Sequence, residues 1–526
     1  MAENGAHALI RTLVDSGVDV CFANPGTSEM HFVAALDSVP EMRGVLGLFE
    51  GVVTGAADGY GRMAGKPAVT LLHLGPGLSN GLANLHNARR AHTPVVNVVG
   101  DHATYHKRYD APLESDIDAL AGAVSGWVRR SERGADVGLD AAEAVAASIG
   151  ARPGPVTLIL PADVSWSAGG LPSGPRLPDP QAAVPGPVIA SLAGLLRAGD
   201  PVTLLLGGAA LSEDGLNAAS RIARATGCAL LAEPFPARIR RGAGVPAVER
   251  LAYRGEAASA QLRGARRLLL AGARSPVTFF AYPGAASDLV PAGTSVHTLA
   301  EDEGVDVLDA LRRLADLVAP GAEPVPAPAA RPELPTGELP TGELTVENWV
   351  KVIGALLPQD AIISDESMTA GMFTLPAATA GAAPHDLLPI TGGSIGQGLP
   401  VATGAAIACP DRPVICLEAD GSAMYTISAL WTQAREHLNV TTVLLNNSSY
   451  AALRMELGQV GAVAGGARAN LLLDLTRPDL DFVAIADGMG VPAVRVGTAA
   501  ELAEQFTKAL AEPGPHLIEA MLPAHQ

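Results

Sequence analysis

Residues 414–450 read VICLEADGSAMYTISALWTQAREHLNVTTVLLNNSSY, two apolar runs that each end in polar, turn-forming residues. An apolar run, Val414–Leu417, is followed by Asp420-Gly421-Ser422; a second, Thr441–Leu445, runs into Asn446-Asn447. Between them Met424, Ile427, Trp431 and Ala434 recur at spacings of three and four, which predicts one amphipathic helix. Short apolar strands alternating with helices imply a parallel sheet covered on both faces. Neighbouring parallel strands place their C-terminal ends side by side, where open α/β sheets bind ligands. Asp420 and Asn447, 27 residues apart, therefore converge on one edge. A carboxylate, an amide oxygen and a backbone carbonyl are the donors Mg²⁺ favours when it also holds phosphate oxygens. Gly421 permits close backbone approach, and Ser422 opens a helix whose start suits a diphosphate. Asp-Gly alone marks only a turn. The ordered set of Asp-Gly-Ser, helix, strand and Asn-Asn says much more.

The same alternation runs through the rest of the chain. Ala68–His73 is a short apolar run before a Gly-Pro-Gly turn at 75–77, and Pro94–Val99 is a valine-rich strand after it. Val202–Leu206 and Arg267–Leu270 repeat the pattern further on. Two stretches interrupt it: SAGGLPSGPRLPDPQAAVPGP at 167–187, and VAPGAEPVPAPAARPELPTGELPTGEL at 318–344 with a tandem LPTGE repeat. Both are dense in Pro and Gly with little to bury, which is linker chemistry. The expectation is three doubly wound parallel-sheet α/β domains at 1–166, 188–317 and 345–526.

Composition supports large cores: of 526 residues, 48% are hydrophobic and 17% charged. The formal net charge of −18 disfavours nucleic acid and anionic membrane as partners, and the Arg residues form no basic patch. An aromatic content of 4% offers no stacking surface for bases. No apolar run reaches the roughly 18 residues of a membrane span. The opening Met-Ala-Glu-Asn-Gly lacks the pattern of a secretory signal. Cys21, Cys228, Cys409 and Cys416 have no metal spacing, so reduced thiols in the cytoplasm are expected.

The stretch Asp420–Tyr450 resembles the thiamine-diphosphate (ThDP) motif of the 2-oxo-acid decarboxylase and acetolactate synthase superfamily. The likeness continues through NPGTSE (24–29), FEGVVTGAADGYGR (49–62), LHLGPGLSNG (72–81) and GGSIGQGLP (392–400). It implies a pyrimidine-binding first domain, a central domain and a diphosphate-binding third domain. By position, Asp420, the Asn447 side chain and the Ser449 carbonyl would hold Mg²⁺. Gly421, Ser422 and Tyr450 would lie along the diphosphate. Ile395 matches the bulky residue that holds the cofactor bent, and Glu366, in SDES, a family element near the diphosphate. Ala419 stands where the motif has its first Gly, a departure of one methyl group that the motif is expected to tolerate.

In the first block the resemblance assigns Glu50 as the acid that protonates the aminopyrimidine. Glu50 ends the run Val45–Phe49 and precedes Gly51-Val52-Val53, so shielding from water is expected; a plain helix-start acid is the alternative. His73 matches a catalytic histidine of the benzoylformate decarboxylase branch, able to exchange protons near neutral pH, against the alternative of a core histidine. Asn80, Thr27 and Ser28 match polar positions beside cofactor or substrate. His102 and His106, in GDHATYH, follow a strand end and read most simply as solvated loop histidines.

The departures narrow the branch. SPVTFFAYPG (275–284) resembles a segment that carries a second catalytic histidine, yet Phe280 holds that place. Leu453 stands where pyruvate decarboxylases carry a glutamate, and SSYAALRMELGQ lacks the run that follows Asn-Asn in acetolactate synthases. Phe280, Leu453 and Leu457 suggest an apolar pocket. No FAD signature is evident, so FAD is not expected. The leading expectation is an acetolactate synthase-like enzyme that decarboxylates a 2-oxo acid and joins the fragment to a second carbonyl. The absent histidine would slow simple protonation. Alternatives are a benzoylformate decarboxylase-type enzyme releasing an aldehyde, and a non-catalytic ThDP-binding regulatory subunit. A dinucleotide-dependent oxidoreductase is disfavoured, because GGSIGQG lacks the strand and distant acid of that fingerprint. The resemblance also implies a homodimer or homotetramer in which Glu50 of one chain meets the diphosphate held by another.

Overall fold

A computed structural model describes residues 4–300, 304–328, 339–462 and 466–524. The first LPTGE copy, at 334–338, lies outside the described residues. Three α/β domains follow one another, each built on a parallel sheet. The first sheet has six strands in the order Arg43–Leu46, Val20–Asn24, Ala68–Leu72, Val95–Asp101, Pro155–Pro161, Trp127–Arg130. The second has five: Glu249–Arg250, Ala229–Ala232, Val202–Leu206, Arg267–Ala271, Ser295–Ala300. The third runs Ala493–Val496, His516–Met521, Val440–Asn446, Val414–Ala419, Ile362–Glu366, His385–Pro389, all parallel. A seventh strand, Ile239–Arg241, reaches this sheet from the middle of the chain and pairs antiparallel with His385–Pro389. The middle block is thus tied to the third domain by backbone hydrogen bonds.

Every residue of Val95–Asp101 and of Val440–Asn446 is buried, the mark of strands covered by helices on both faces. Each such Val or Leu contributes about 1.5–3 kcal/mol by leaving water. Small residues let the first and third domains approach closely. Helix Glu50–Ala64 lies against helix Gly398–Ala408, with Gly55 and Gly59 on one and Gly404 on the other. A Cβ on Gly59 would sit 2.1 Å from the Val401 carbonyl oxygen, and one on Gly404 1.8 Å from that of Ala56.

Two local expectations need correction. Gly75-Pro76-Gly77 is no free turn but the first turn of helix Leu74–Arg90, where proline's missing N–H costs nothing. The single helix expected after Ser422 is two, Asp420–Thr426 and Ala429–Arg435. The break at Ile427-Ser428 resets the helical phase. Ala423, Ala429 and Leu430 are therefore buried, while Met424 is 39% exposed and Trp431 lies under the Arg435 guanidinium.

Candidate active site

In the first domain the site residues stand at the C-terminal ends of adjacent strands. Phe49, in extended backbone, caps helix Glu50–Ala64, so Glu50 is both a helix-start residue and buried. Asn80 Nδ2 donates to Glu50 Oε2 at 3.0 Å. Gly77 leaves room beside that carboxylate, since a Cβ there would lie 3.3 Å from Glu50 Oε1. His73 follows its strand directly and caps the next helix. Its Nδ1 lies 2.7 Å from Glu29 Oε2, which also accepts the Gly26 N–H at 2.8 Å.

Glu29 is a functional candidate the sequence reading passed over. Burial raises its carboxyl, and the charge of His73 pulls the other way. Two glycines make the pair sterically feasible: a Cβ on Gly100 would meet Glu29 Oε1 at 1.6 Å, and one on Gly26 would meet the His73 ring at 2.4 Å. With Nδ1 held on Glu29, Nε2 is the ring nitrogen left to exchange a proton. Glu29 sits in the quoted NPGTSE beside Thr27 and Ser28, but only the fold shows that it faces His73. Thr27 is exposed and Ser28 half-buried.

The third domain builds a different kind of site. Asp420 is buried, with Oδ1 accepting the Gly421 N–H at 2.8 Å. Burial pushes its carboxyl up to about 6, while the amides of Gly421, Ser448, Ser449 and Asn447 pull it down. Its Oδ2 is buried without a hydrogen-bond partner. That orphaned acceptor is what a bound cation would satisfy. Asn447 is buried beside it, at the end of the neighbouring strand, and its Oδ1 accepts the Ser449 N–H at 3.1 Å. Ser448 takes a left-handed conformation (φ 53°) that turns the loop back on itself. The Tyr450 ring covers Gly421, where any Cβ would lie 2.5 Å from it. Ala419 has an ordinary extended backbone (φ −83°), so its methyl group is accommodated without strain. Among the described residues no three His, Cys, Asp or Glu side chains converge as a metal site. A cation here would rely on the mixed carboxylate, amide and carbonyl set.

Glu366 acts through the loop. Its two oxygens accept the amides of Gly396 (2.8 Å) and Gly398 (2.5 Å), clamping the turn that carries half-buried Ile395. Burial lifts its carboxyl to about 7, against the pull of those amides and the Ser422 hydroxyl. Directly opposite in register stands Glu418, fully buried, another acid the sequence reading missed. Burial, then the nearby Glu366 charge, pushes Glu418 well above the carboxylate range.

Within one chain the first and third domains also pack against each other. Asn84 Nδ2 donates to the carbonyls of Gly51 (2.8 Å) and Gly396 (3.1 Å), so the start of the Glu50 helix lies against the Ile395 loop. Asn87 adds a bond to the Ser394 carbonyl at 2.7 Å. The buried Asp58–Arg62 pair reaches the Pro389 carbonyl and the Thr391 hydroxyl. From the middle block Phe279 packs on the same loop, 2.5 Å from where a Gly393 Cβ would be. Phe280 stacks edge-on to it and is 51% exposed; Leu453 is 50% exposed and Leu457 half-buried. Tyr253 and Tyr282 both donate to Glu456 at 2.9 Å, fastening helix Ala451–Gln459 to the middle domain. His102 stacks near His106, and its backbone N–H bonds Asp101 at the strand end beyond Gly100.

Residues 3–121 match the family model "Thiamine pyrophosphate enzyme, N-terminal TPP binding domain", and residues 370–520 match the corresponding C-terminal TPP binding domain. A Mycobacterium tuberculosis protein named "Putative acetolactate synthase large subunit IlvX" is 63% identical over 99% of both chains. The chain belongs to the ThDP enzymes. Benzoylformate decarboxylase of Pseudomonas aeruginosa is 32% identical to this ThDP enzyme over 96% of each chain. The solved ThDP-dependent 4-hydroxybenzoylformate decarboxylase of Rhodococcus jostii superposes with a TM-score of 0.86, at 27% identity over 99% of both chains. The chain is thus a ThDP-dependent enzyme of the acetolactate synthase and benzoylformate decarboxylase type. No helix among the described residues is long and apolar enough to cross a membrane.

Proposed function

We propose that this enzyme decarboxylates a 2-oxo acid with ThDP and Mg²⁺ and passes the resulting fragment to a second carbonyl compound. The observation that carries the ThDP–Mg²⁺ assignment is the buried, partnerless Asp420 Oδ2 beside Asn447. Asp420, the Asn447 side chain and the Ser449 carbonyl would hold the ion; Gly421, Ser422 and Tyr450 would line the diphosphate, and Ile395 would support the ring system. When bound, ThDP supplies a nucleophilic carbon and stores the electron pair released with CO₂. Glu50, oriented by Asn80, holds the proton that the aminopyrimidine needs. His73, fixed by Glu29, exchanges a proton at Nε2 with the substrate oxygen. Segment 275–284 sets Phe279 against the loop, with Phe280 edge-on to it, and offers no acid there, which favours capture by a carbonyl over protonation.

A second reading, simple aldehyde release, is favoured by the His73–Glu29 pair, which offers a proton donor of its own. Product analysis separates them. Carboligation predicts a 2-hydroxy ketone or acetohydroxy acid from a 2-oxo acid plus acceptor; aldehyde in equal amount to CO₂, with acceptor present, selects the second reading. The dimer or tetramer implied by the resemblance is part of the proposal, with Glu50 and Asp420 of one working site on different chains. Mixing Glu50→Gln with Asp420→Ala chains then restores activity in part. No recovery means that each site is complete within one chain.

A further inference from the structure

Between the middle sheet and the third domain lies a cavity of about 820 Å³, bordered by residues 239–253 and 365–380. Its volume falls in the range of small-molecule sites. Phe235, Tyr253, Met372 and Phe373 give it an apolar and aromatic wall. Into this wall are set two guanidinium groups, Arg241 and Arg250.

Their hydrogen bonding is incomplete. Arg241 is 9% exposed; one terminal nitrogen donates to the Pro376 carbonyl at 2.6 Å, but its Nε is buried with no partner. The Arg250 guanidinium makes no hydrogen bond or ion pair among the described residues. Burial lowers Arg241 to about 10, and the Arg250 charge adds to the effect. Burial also lowers Arg250, with Asp365 pulling the other way. Of the nearby acids Asp365 acts on Arg250 through its charge. Asp365 Oδ1 accepts the Ser367 N–H and hydroxyl, both Glu366 oxygens hold backbone amides, and exposed Glu249 accepts from Gln261. Two guanidinium groups beside one acid, Asp365, leave unused donors and an excess of positive charge in a largely apolar chamber, which a bound anion would offset.

We propose that this cavity binds a small organic anion, its carboxylate or phosphate head on Arg241 and Arg250 and its alkyl or aryl body on the apolar wall. Guanidinium groups suit both head groups, since each offers several fixed N–H donors to paired oxygens. Glu366 also borders the cavity, but both its oxygens are taken by the amides of Gly396 and Gly398, so the head group falls to the two arginines.

Isothermal titration calorimetry on the full chain with ThDP and Mg²⁺ tests this, using benzoate, phenyl phosphate, inorganic phosphate and benzamide. The proposal predicts that benzoate or phenyl phosphate binds once per chain at this site, and the tighter of the two identifies the head group. Inorganic phosphate binds more weakly for want of a body, and uncharged benzamide is rejected. Arg250→Gln weakens the anion about tenfold or more, because it removes a charged donor. Ala377→Trp, on an exposed part of the lining, fills the chamber with both arginines intact and predicts the same loss. Unchanged affinity in both variants overturns the proposal, as does benzamide binding as tightly as benzoate. Absence of binding by every anion at about 10 mM also overturns it.

Discussion

The first and third domains each gather their site at the C-terminal ends of parallel strands, yet they use the same topology for different chemistry. In the first, side chains contact side chains: Asn80 on Glu50, His73 on Glu29, with glycines 26, 77 and 100 clearing the space. In the third, carboxylates meet backbone amides: Glu366 on Gly396 and Gly398, Asp420 on Gly421, with one oxygen left over. Side-chain pairs fix protonation states and suit proton transfer. An acceptor surplus inside a backbone loop suits a cation and its phosphate. One sheet edge can therefore serve either purpose, and the difference lies in whether its acids face side-chain donors or backbone amides.

The proton side and the cation side should separate in experiment. Glu50→Gln, on the proton side, should lower turnover by about 10²–10⁴-fold while ThDP and Mg²⁺ still bind, as read by single-turnover kinetics and calorimetry. Asp420→Ala, on the cation side, should do the reverse, weakening Mg²⁺-dependent ThDP binding by more than about a hundredfold. Loss of cofactor binding in Glu50→Gln, or its retention in Asp420→Ala, would erase the distinction.

Two smaller effects divide along the same line. Burial holds the Asp420 carboxyl near 6 in the metal-free chain, and only the ionised form binds a cation. Apparent Mg²⁺ affinity should therefore be flat above that pH and fall about tenfold per unit below it. Stability of the metal-free chain carries the opposite sign. A buried acid with a raised value favours the folded state below the unfolded value, and that contribution is lost as pH rises through about 6. Glu29→Gln leaves the His73 ring a neutral partner, and should cut turnover about 10–100-fold and displace the pH–rate profile without changing Mg²⁺ affinity. A profile that keeps its shape would make Glu29 merely structural.

Much of this was legible in the sequence because it resides in local patterns. The valine-rich strands, the Asp420 and Asn447 turns at their ends, and the Glu50 helix start are set by neighbours within a few residues. What escaped depends on distant residues meeting. Glu29 becomes a partner of His73 only because Gly26 and Gly100 give up their side-chain volume to both. Glu418 faces Glu366 by strand register across 52 residues of chain. Strand Ile239–Arg241, which seals the third sheet, is too short to carry a period. The broken helix after Asp420 shows the converse failure: a three-and-four spacing was present, but the break at Ile427-Ser428 gave the buried face to smaller residues.

The smallest expected effect concerns the seam that joins the two domains. Gly59→Ala would place a methyl group 2.1 Å from the Val401 carbonyl oxygen, and backbone there cannot rotate away. Thermal or denaturant unfolding should show a loss of about 1–3 kcal/mol. A neutral result would mean that the helices separate freely.

The most direct test of the central claim is CO₂ release from a panel of 2-oxo acids, with pyruvate and benzoylformate included, assayed with and without ThDP and Mg²⁺. If the claim holds, at least one acid releases CO₂ only with both cofactors, and that release disappears in Glu50→Gln. Tight ThDP binding with no release from any acid, or release indifferent to the cofactors, would contradict it.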